Sequence, residues 1–322
     1  MLFTRRLPVE EIKLSIIILS YNTAKLLSEC LKSLKFEIRN LKFKIEVIVV
    51  DNNSSDESVK EIKNFKFDIE TSLKIKNLKL KIIENENNFG FAKGNNIGLK
   101  EARGEYVLFL NSDTQVFPDS LKETVVFMED NPDVGALTIK TLLVSGKMDP
   151  DCHRGFPTPW ASITYFLGLE KLFPKCRICG QYHKFYLNLN ENHEIDSGAG
   201  AFMMVPKKVI DEVGGWDENY FFYGEDLDFY FRIKNAGYKV MFFAKPLLKH
   251  YKGASSGLRK ESKSIANNSK ENRIRVAKAS VEAMEIFYKK FYKDNYPGWL
   301  TYLVLTAIRI KGLFRVLKYQ LQ

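Results

Sequence analysis

The apolar positions in the first half of the chain fall in short unbroken runs, separated by stretches with helical spacing. Leu14–Leu19 (LSIIIL), Glu46–Val50 (EVIVV), Leu80–Ile83, Tyr106–Leu110 and Val134–Ile139 have the length and composition of buried strands. Between them Thr23–Ile38, Ser55–Phe65, Ala92–Ala102 and the stretch after Pro118 to Glu129 read as helices. Continuous apolar strands alternating with helices predict an α/β fold with a mainly parallel central sheet covered on both faces. Ligands of such sheets sit beyond the carboxyl ends of the strands. Those ends are polar here: Ser20-Tyr21-Asn22, Asp51-Asn52-Asn53, Glu84-Asn85 and Asn111-Ser112-Asp113.

The pattern changes near Leu142. Residues 142–195 are irregular and rich in Pro, Gly, Tyr and Cys. Order returns over Ile195–Val205, and Glu225–Ala236 reads as a helix stopped by Gly237. Residues 252–272 are rich in Ser, Lys, Asn and Gly and read as a loop. A helical tail follows, with Trp299, Leu303, Ile310, Leu313, Phe314 and Leu317 on one stripe and Lys311, Arg315 and Lys318 beside it. The expected organisation is a main domain over 1–256, a flexible loop over 257–272 and a basic amphipathic tail over 273–322.

Charge changes the reading of the tail. The net charge is +10, and Lys270–Gln322 holds eleven basic against four acidic residues. The tail therefore suits an anionic membrane surface. The alternative is packing on the main domain or in a homodimer. The longest apolar run there, Trp299–Ile308, is about half of the ~20 residues a membrane span needs. Four cysteines in 322 residues make no disulfide framework, and no secretory signal is visible. The expected location is the cytoplasm, peripheral on the inner face of the cell membrane.

Two common nucleotide-binding devices are missing: neither a Gly-x-Gly-x-x-Gly turn nor a Gly-Lys-Ser/Thr loop follows the first strand. The strand ends offer another arrangement. Asp51 is the first residue past its strand and is a ligand candidate; Ser54 or Ser55 serves the helix cap. Tyr21 is either an aromatic on the rim of the sheet or a residue that stacks on a nucleobase. Gly90, Ala92, Gly94 and Gly98 permit close backbone approach at a helix start that favours an anion. Asp113 would give an oxygen ligand to a divalent cation shared with a diphosphate. Glu225, Asp226 and Asp228 open a helix. That is more charge than a helix dipole needs, and mutual repulsion suits one of them to proton abstraction. Trp216 and the aromatic run Tyr220–Tyr223 would form a wall for a sugar face. His250 ends a strand-like segment and is a second candidate metal ligand. Cys176 and Cys179 have Cys-x-x-Cys spacing, but the irregular placing of Cys152, His153 and His183 favours free thiols over zinc.

As an ordered set, SIIILSYN, VIVVDNNSSDES, NNFGFAKGNNIGLKEARGEYVLFLNSDT, GAGAFMMVPKKVIDEVGGWDENYFFYGEDLDFYFRIKNAGYKV and HYKGASS resemble the inverting GT-A glycosyltransferases of family 2, in particular the rhamnosyltransferase-like branch. The resemblance implies a GT-A fold and inverting transfer of a sugar from a dTDP- or UDP-linked donor, with rhamnose among the candidates. The acceptor would be a hydroxyl of a glycan or lipid-linked saccharide in cell-surface polysaccharide synthesis. By matched position, Ser20, Tyr21, Asn22, Asp51, Asn53, Gly90, Phe91, Ala92, Asn95, Asn111, Ser112 and Asp113 would hold the nucleotide-sugar. Asp226 would be the catalytic base. Trp216, Glu225 and Asp228 would shape the acceptor site, with residues 142–195 as an acceptor-side insert. Asp113 and His250 would hold Mg²⁺ or Mn²⁺. Asn111 stands where the family's Asp-x-Asp motif has its first Asp, which removes one charge from that metal site. Two other readings remain: a sugar-nucleotide nucleotidyltransferase, and a nucleic-acid binder acting through the basic tail. The clustered acids have no role in the latter, so nucleic acid is not an expected partner.

Overall fold

Alternation of strand and helix dominates the first part of the structure, a computed structural model that describes residues 11–73, 77–252 and 270–321. It opens with β1 (Leu14–Ser20), α1 (Ala24–Asn40), β2 (Ile45–Asp51), α2 (Ser58–Asp68), β3 (Leu78–Glu84), α3 (Phe91–Leu99) and β4 (Tyr106–Asn111). Next come β5 (Thr114–Val116), α4 (Ser120–Asp130) and β6 (Val134–Leu143). The irregular stretch contributes α5 (Pro159–Phe166), the single turn α6 (Leu169–Leu172) and β7 (His193–Ile195). Then follow β8 (Phe202–Pro206), α7 (Lys207–Val213), α8 (Glu225–Asn235), β9 (Lys239–His250), α9 (Lys270–Phe291) and α10 (Gly298–Gln320).

Among the described residues one nine-stranded sheet runs β3-β2-β1-β4-β8-β6-β9-β5, with β7 paired to β9. The β3-β2-β1-β4 half is parallel. Its register sets Ser20 opposite Asp51 and Leu19 opposite Asn111, so the polar strand ends share one edge. The other half is mixed: β8 runs antiparallel to β4, and β9 antiparallel to β5. The pairing of the short β5 sets Thr114 opposite His250 and so brings residues far apart in sequence to one edge.

The strands read as unbroken apolar runs because both faces are covered. Ile16, Ile18, Val47, Val49, Leu108 and Leu110 face the cluster with α1, α2 and α4. Their neighbours Ile17, Ile48, Val50, Val107 and Phe109 face the cluster with α3, α7 and α8. Each fully buried branched side chain contributes roughly 1.5–3 kcal/mol, so both layers hold the sheet edge rigid.

The tail is docked, not appended. Phe287 and Tyr288 of α9, with Tyr292 just past its end, pack with Phe156, with Leu227 and Phe231 of α8, and with Val304, Leu305 and Ile308 of α10. Lys290 ties α9 down through Asp217 (2.7 Å) and Asp228 (2.6 Å). The two tail helices approach closely at Gly312, where a Cβ would lie 2.6 Å from Val281. The expected loop at 257–272 lies mostly outside the described residues, and Lys270–Asn272 already belong to α9.

Candidate active site

A cavity of about 800 Å³ opens beyond the shared strand edge and continues past α8 to the tail helices. At its sheet end it is lined by Tyr21, Asn52, Gly90, Phe91, Asn111, Ser112 and Asp113. Asn52 organises this end. Its side chain donates to Asn88 Oδ1 (2.9 Å) and the Gly90 carbonyl (3.2 Å), and accepts from Asn85 (3.0 Å) and the Phe89 N–H (3.2 Å). Gly90 has φ +85°, and a Cβ there would meet the Phe221 carbonyl oxygen at 2.5 Å. Only glycine fits that close approach.

Asp113 and His250 are both buried and converge at the cavity wall, Oδ1 to Nε2 3.2 Å. Burial alone would lower the histidine pKa; the Asp113 and Asp149 carboxylates outweigh it and push it up to about 9. Behind the ring, His250 Nδ1 and Asp149 Oδ2 lie 3.6 Å apart, each buried without a hydrogen-bond partner. Lys252 holds the other oxygen of Asp149 and also binds Asp151. A carboxylate and an imidazole suit Mn²⁺, and a carboxylate behind the imidazole is the usual support for a ligating histidine. Among the described residues no three His, Cys, Asp or Glu side chains converge on one point. Among these residues Asp113 and His250 would give a bound cation two donors, and an oxygen-rich ligand such as a diphosphate would have to supply the others.

The acids sit at the start of α8. Gly224, at φ +83°, precedes them, and a Cβ there would touch Ala283 of α9 at 3.0 Å. Asp226 Oδ2 accepts from Arg154 (2.7 Å), whose guanidinium also donates to the Gly198 carbonyl. Arg154 is buried; burial would lower its pKa, but the Asp226 carboxylate keeps it charged. Glu225 is also buried at the cavity wall, with Oε2 unpartnered. Burial, then the Asp226 charge, raises its pKa to about 8. The repulsion expected among the acids thus falls on Glu225, while Asp226 gains a cationic partner. Arg154 is the functional residue the sequence reading misses, because a lone arginine in an irregular stretch carries no local signal.

Several other candidates take different places. Ser20, Asn22, Asp51, Asn53, Ala92 and Asn95 do not line the cavity. Ser20 pairs with Thr23 (3.1 Å), and Asn22 and Asp51 accept from the Ser55 and Ser54 N–H groups, so they shape the loops behind the wall. Asp51 keeps its other carboxylate oxygen buried and unpaired. Asn53 has φ +66° and turns the β2–α2 loop. Ala92 is buried in the core, and Asn95 donates to the Phe91 carbonyl. Trp216 is not a pocket wall: it is 3% exposed and packs edge-on against Phe91, Phe109 and Phe229. Asp228 is fully buried and bound by Arg232 and Lys290, so it anchors helices instead of meeting an acceptor. Tyr182, Ile163 and Phe166 of the insert do reach the cavity. His153 and His193 share a 2.5 Å contact, and His183 binds Glu170. The sulfurs of Cys176 and Cys179 are 2.9 Å apart as free thiols.

Comparison with known proteins places this geometry in a family. Residues 180–254 match the family model "N-terminal domain of galactosyltransferase". The Staphylococcus aureus poly(ribitol-phosphate) beta-N-acetylglucosaminyltransferase TarS is 34% identical over 141 residues, 43% of this chain and 22% of TarS. The Myxococcus xanthus O-antigen biosynthesis protein RfbC is 27% identical over 244 residues, 76% of this chain and 18% of RfbC. The chain thus spans about a fifth of the length of these curated relatives. Among solved structures, a Pyrobaculum calidifontis mannosyltransferase in complex with GDP-Man and Mn²⁺ superposes with TM-score 0.55 at 17% identity, covering 96% of this chain and 88% of that one. The fold is of the GT-A type. The model "Glycosyl transferase family 2" matches residues 15–213, more than half of the chain, and the chain belongs to that family.

Proposed function

We propose that the chain transfers a sugar, with inversion, from a nucleoside-diphosphate donor to a hydroxyl of a cell-surface glycan or its lipid-linked precursor. The observation that carries this reading is the single cavity in which Asn111–Asp113 and His250 meet Glu225 and Asp226. Tyr21 and the Asn52-braced loop receive the nucleoside, and the close backbone approach at Gly90 shapes the wall beside it. Asp113 and His250 would hold a divalent cation, which would supply positive charge to neutralise the diphosphate. Asp226 takes the proton of the attacking acceptor hydroxyl. Arg154 fixes that carboxylate against the Gly198 carbonyl, so it faces the cavity in one orientation. Glu225, neutral beside it, adds no second negative charge where the nucleophile approaches.

A screen of UDP- and dTDP-linked sugars, including UDP-N-acetylglucosamine and dTDP-rhamnose, tests the reading by binding and by product. Release of nucleoside diphosphate with the sugar transferred or hydrolysed supports it. Release of pyrophosphate from a nucleoside triphosphate incubated with a sugar phosphate would instead mark a nucleotidyltransferase.

The tail supports a peripheral membrane position. Among the described residues no helix is long and apolar enough to cross a membrane. Trp299, Tyr302, Leu313 and Phe314 of α10 are each more than 60% exposed, and Lys318 lies on the same helix. Flotation with anionic vesicles, lost in the Trp299→Ser, Phe314→Ser double variant, is the expected outcome; equal flotation of the two proteins rejects it.

A further inference from the structure

Beyond Glu225 and Asp226 the cavity changes character. Its lining becomes apolar, with Phe166 of α5, Leu227 of α8, Met284 and Phe287 of α9, and Ala307 and Ile308 of α10. A site for a free sugar would offer polar side chains along this stretch, since hydroxyls need partners. On the same face of α10, within two turns of Ile308, two cations also line the cavity: Lys311 and Arg315. Among the described residues neither has a carboxylate partner, whereas Arg309 on the next face is bound to Glu285. The Lys311 ammonium lies 3.7 Å from the centre of the Phe166 ring, so the cation is set against apolar surface. Lys311 stays exposed and Arg315 half-buried at this edge of the cavity, where both can be reached from solvent. Paired cations beside an apolar groove are complementary to a phosphate carried on a hydrocarbon chain.

We propose that this half of the cavity binds the carrier of the acceptor, a single-chain lipid phosphate, with its phosphate at Lys311 and Arg315 and its chain along the groove between α5 and the tail helices. The acceptor saccharide would extend from the phosphate toward Asp226. The assignment of this ligand as acceptor rests on the transferase reading; the site itself rests on the groove and its two cations. It also gives Lys311 and Arg315 a different role from Lys318, since they face the cavity and not the outer stripe of α10.

The test is calorimetric titration of the full chain with farnesyl phosphate below its micelle concentration, beside farnesol and inorganic phosphate. Farnesyl phosphate should bind at least about tenfold tighter than either fragment, because it joins both interactions. Ala307→Trp, which fills the groove, and the Lys311→Gln, Arg315→Gln pair should each weaken it about tenfold. UDP or dTDP affinity, measured in the same samples, should stay unchanged and so report an intact fold. If Ala307→Trp does not fold, the charge pair decides alone. Farnesyl phosphate binding no tighter than its fragments overturns the proposal. So does a loss caused by Trp299→Ser on the outer face while Ala307→Trp is harmless, since the lipid would then lie outside the cavity. Lipid-phosphate binding without any nucleotide binding would instead sink the transferase reading and leave this site standing.

Discussion

The two ends of the cavity are built by different means. The sheet end is assembled mainly from the strand ends of the first half, where each strand is followed by a polar loop and a parallel register aligns the loops on one edge, with His250 added by the β5–β9 pairing. The tail end is assembled from segments more than a hundred residues apart, α5 against α9 and α10. The first end is polar and braced by side-chain hydrogen bonds; the second is apolar and held by packing. A nucleotide's charges call for fixed polar partners, whereas a chain of hydrocarbon calls only for excluded water. The acids at the start of α8 lie where the two ends meet, and Arg154 from the irregular stretch after β6 reaches Asp226.

Substitutions at this junction separate the two ends most sharply. Asp226→Asn should cut transfer about 10²–10⁴-fold while donor affinity is kept, as seen by comparing turnover with donor titration. Near-normal turnover would remove Asp226 from the role of base. Arg154→Met should cost about 3 kcal/mol in urea unfolding, because it strands a largely buried carboxylate, and should also slow transfer. A change confined to stability would make Arg154 purely structural. At the sheet end, Asp149→Asn should weaken Mn²⁺-supported donor binding about 10–100-fold, by removing the carboxylate behind His250. Donor binding that is equally strong with and without Mn²⁺ in the wild type would remove the metal from this end altogether.

Smaller effects probe how the tail is coupled to α8. Gly224→Ala should destabilise by about 1–3 kcal/mol, through positive φ and the close contact with Ala283. Protease nicking of α9 would rise if that contact seats the tail. Glu225 supplies the mildest test. Its pKa in the fold is about 8 against an ordinary 4.5, so the native chain holds a proton that the unfolded chain has lost between those values. Stability should therefore fall as pH rises from about 4.5 to about 8 and level off above. Glu225→Gln should flatten that slope, so its Tm gains on the wild type toward alkaline pH. Parallel Tm curves would mean that Glu225 is not protonated in the fold.

Short-range patterning carried the strand–helix alternation from β1 to α4, because one residue in two must face each apolar layer and the loops between must be polar. The same logic exposed Asp113, the acids of α8 and His250 as candidates, since charged residues at the ends of buried elements stand out against their neighbours. Patterning could not tell a wall from a brace. Trp216 and Asp228 look like ligand-facing residues in sequence, yet the first fills the core and the second anchors Arg232 and Lys290.

The sequence by itself determined the parallel half of the sheet, its polar edge and the tail's amphipathic stripe, because these follow from local spacing and burial. Only the tertiary structure decided that β5 pairs with β9 to bring His250 to Asp113, that Arg154 meets Asp226, and that the tail closes the cavity. Those contacts join residues that share no local period. They form when apolar faces far apart in sequence pack together and carry these polar groups with them, and no window along the chain contains both sides of such a contact.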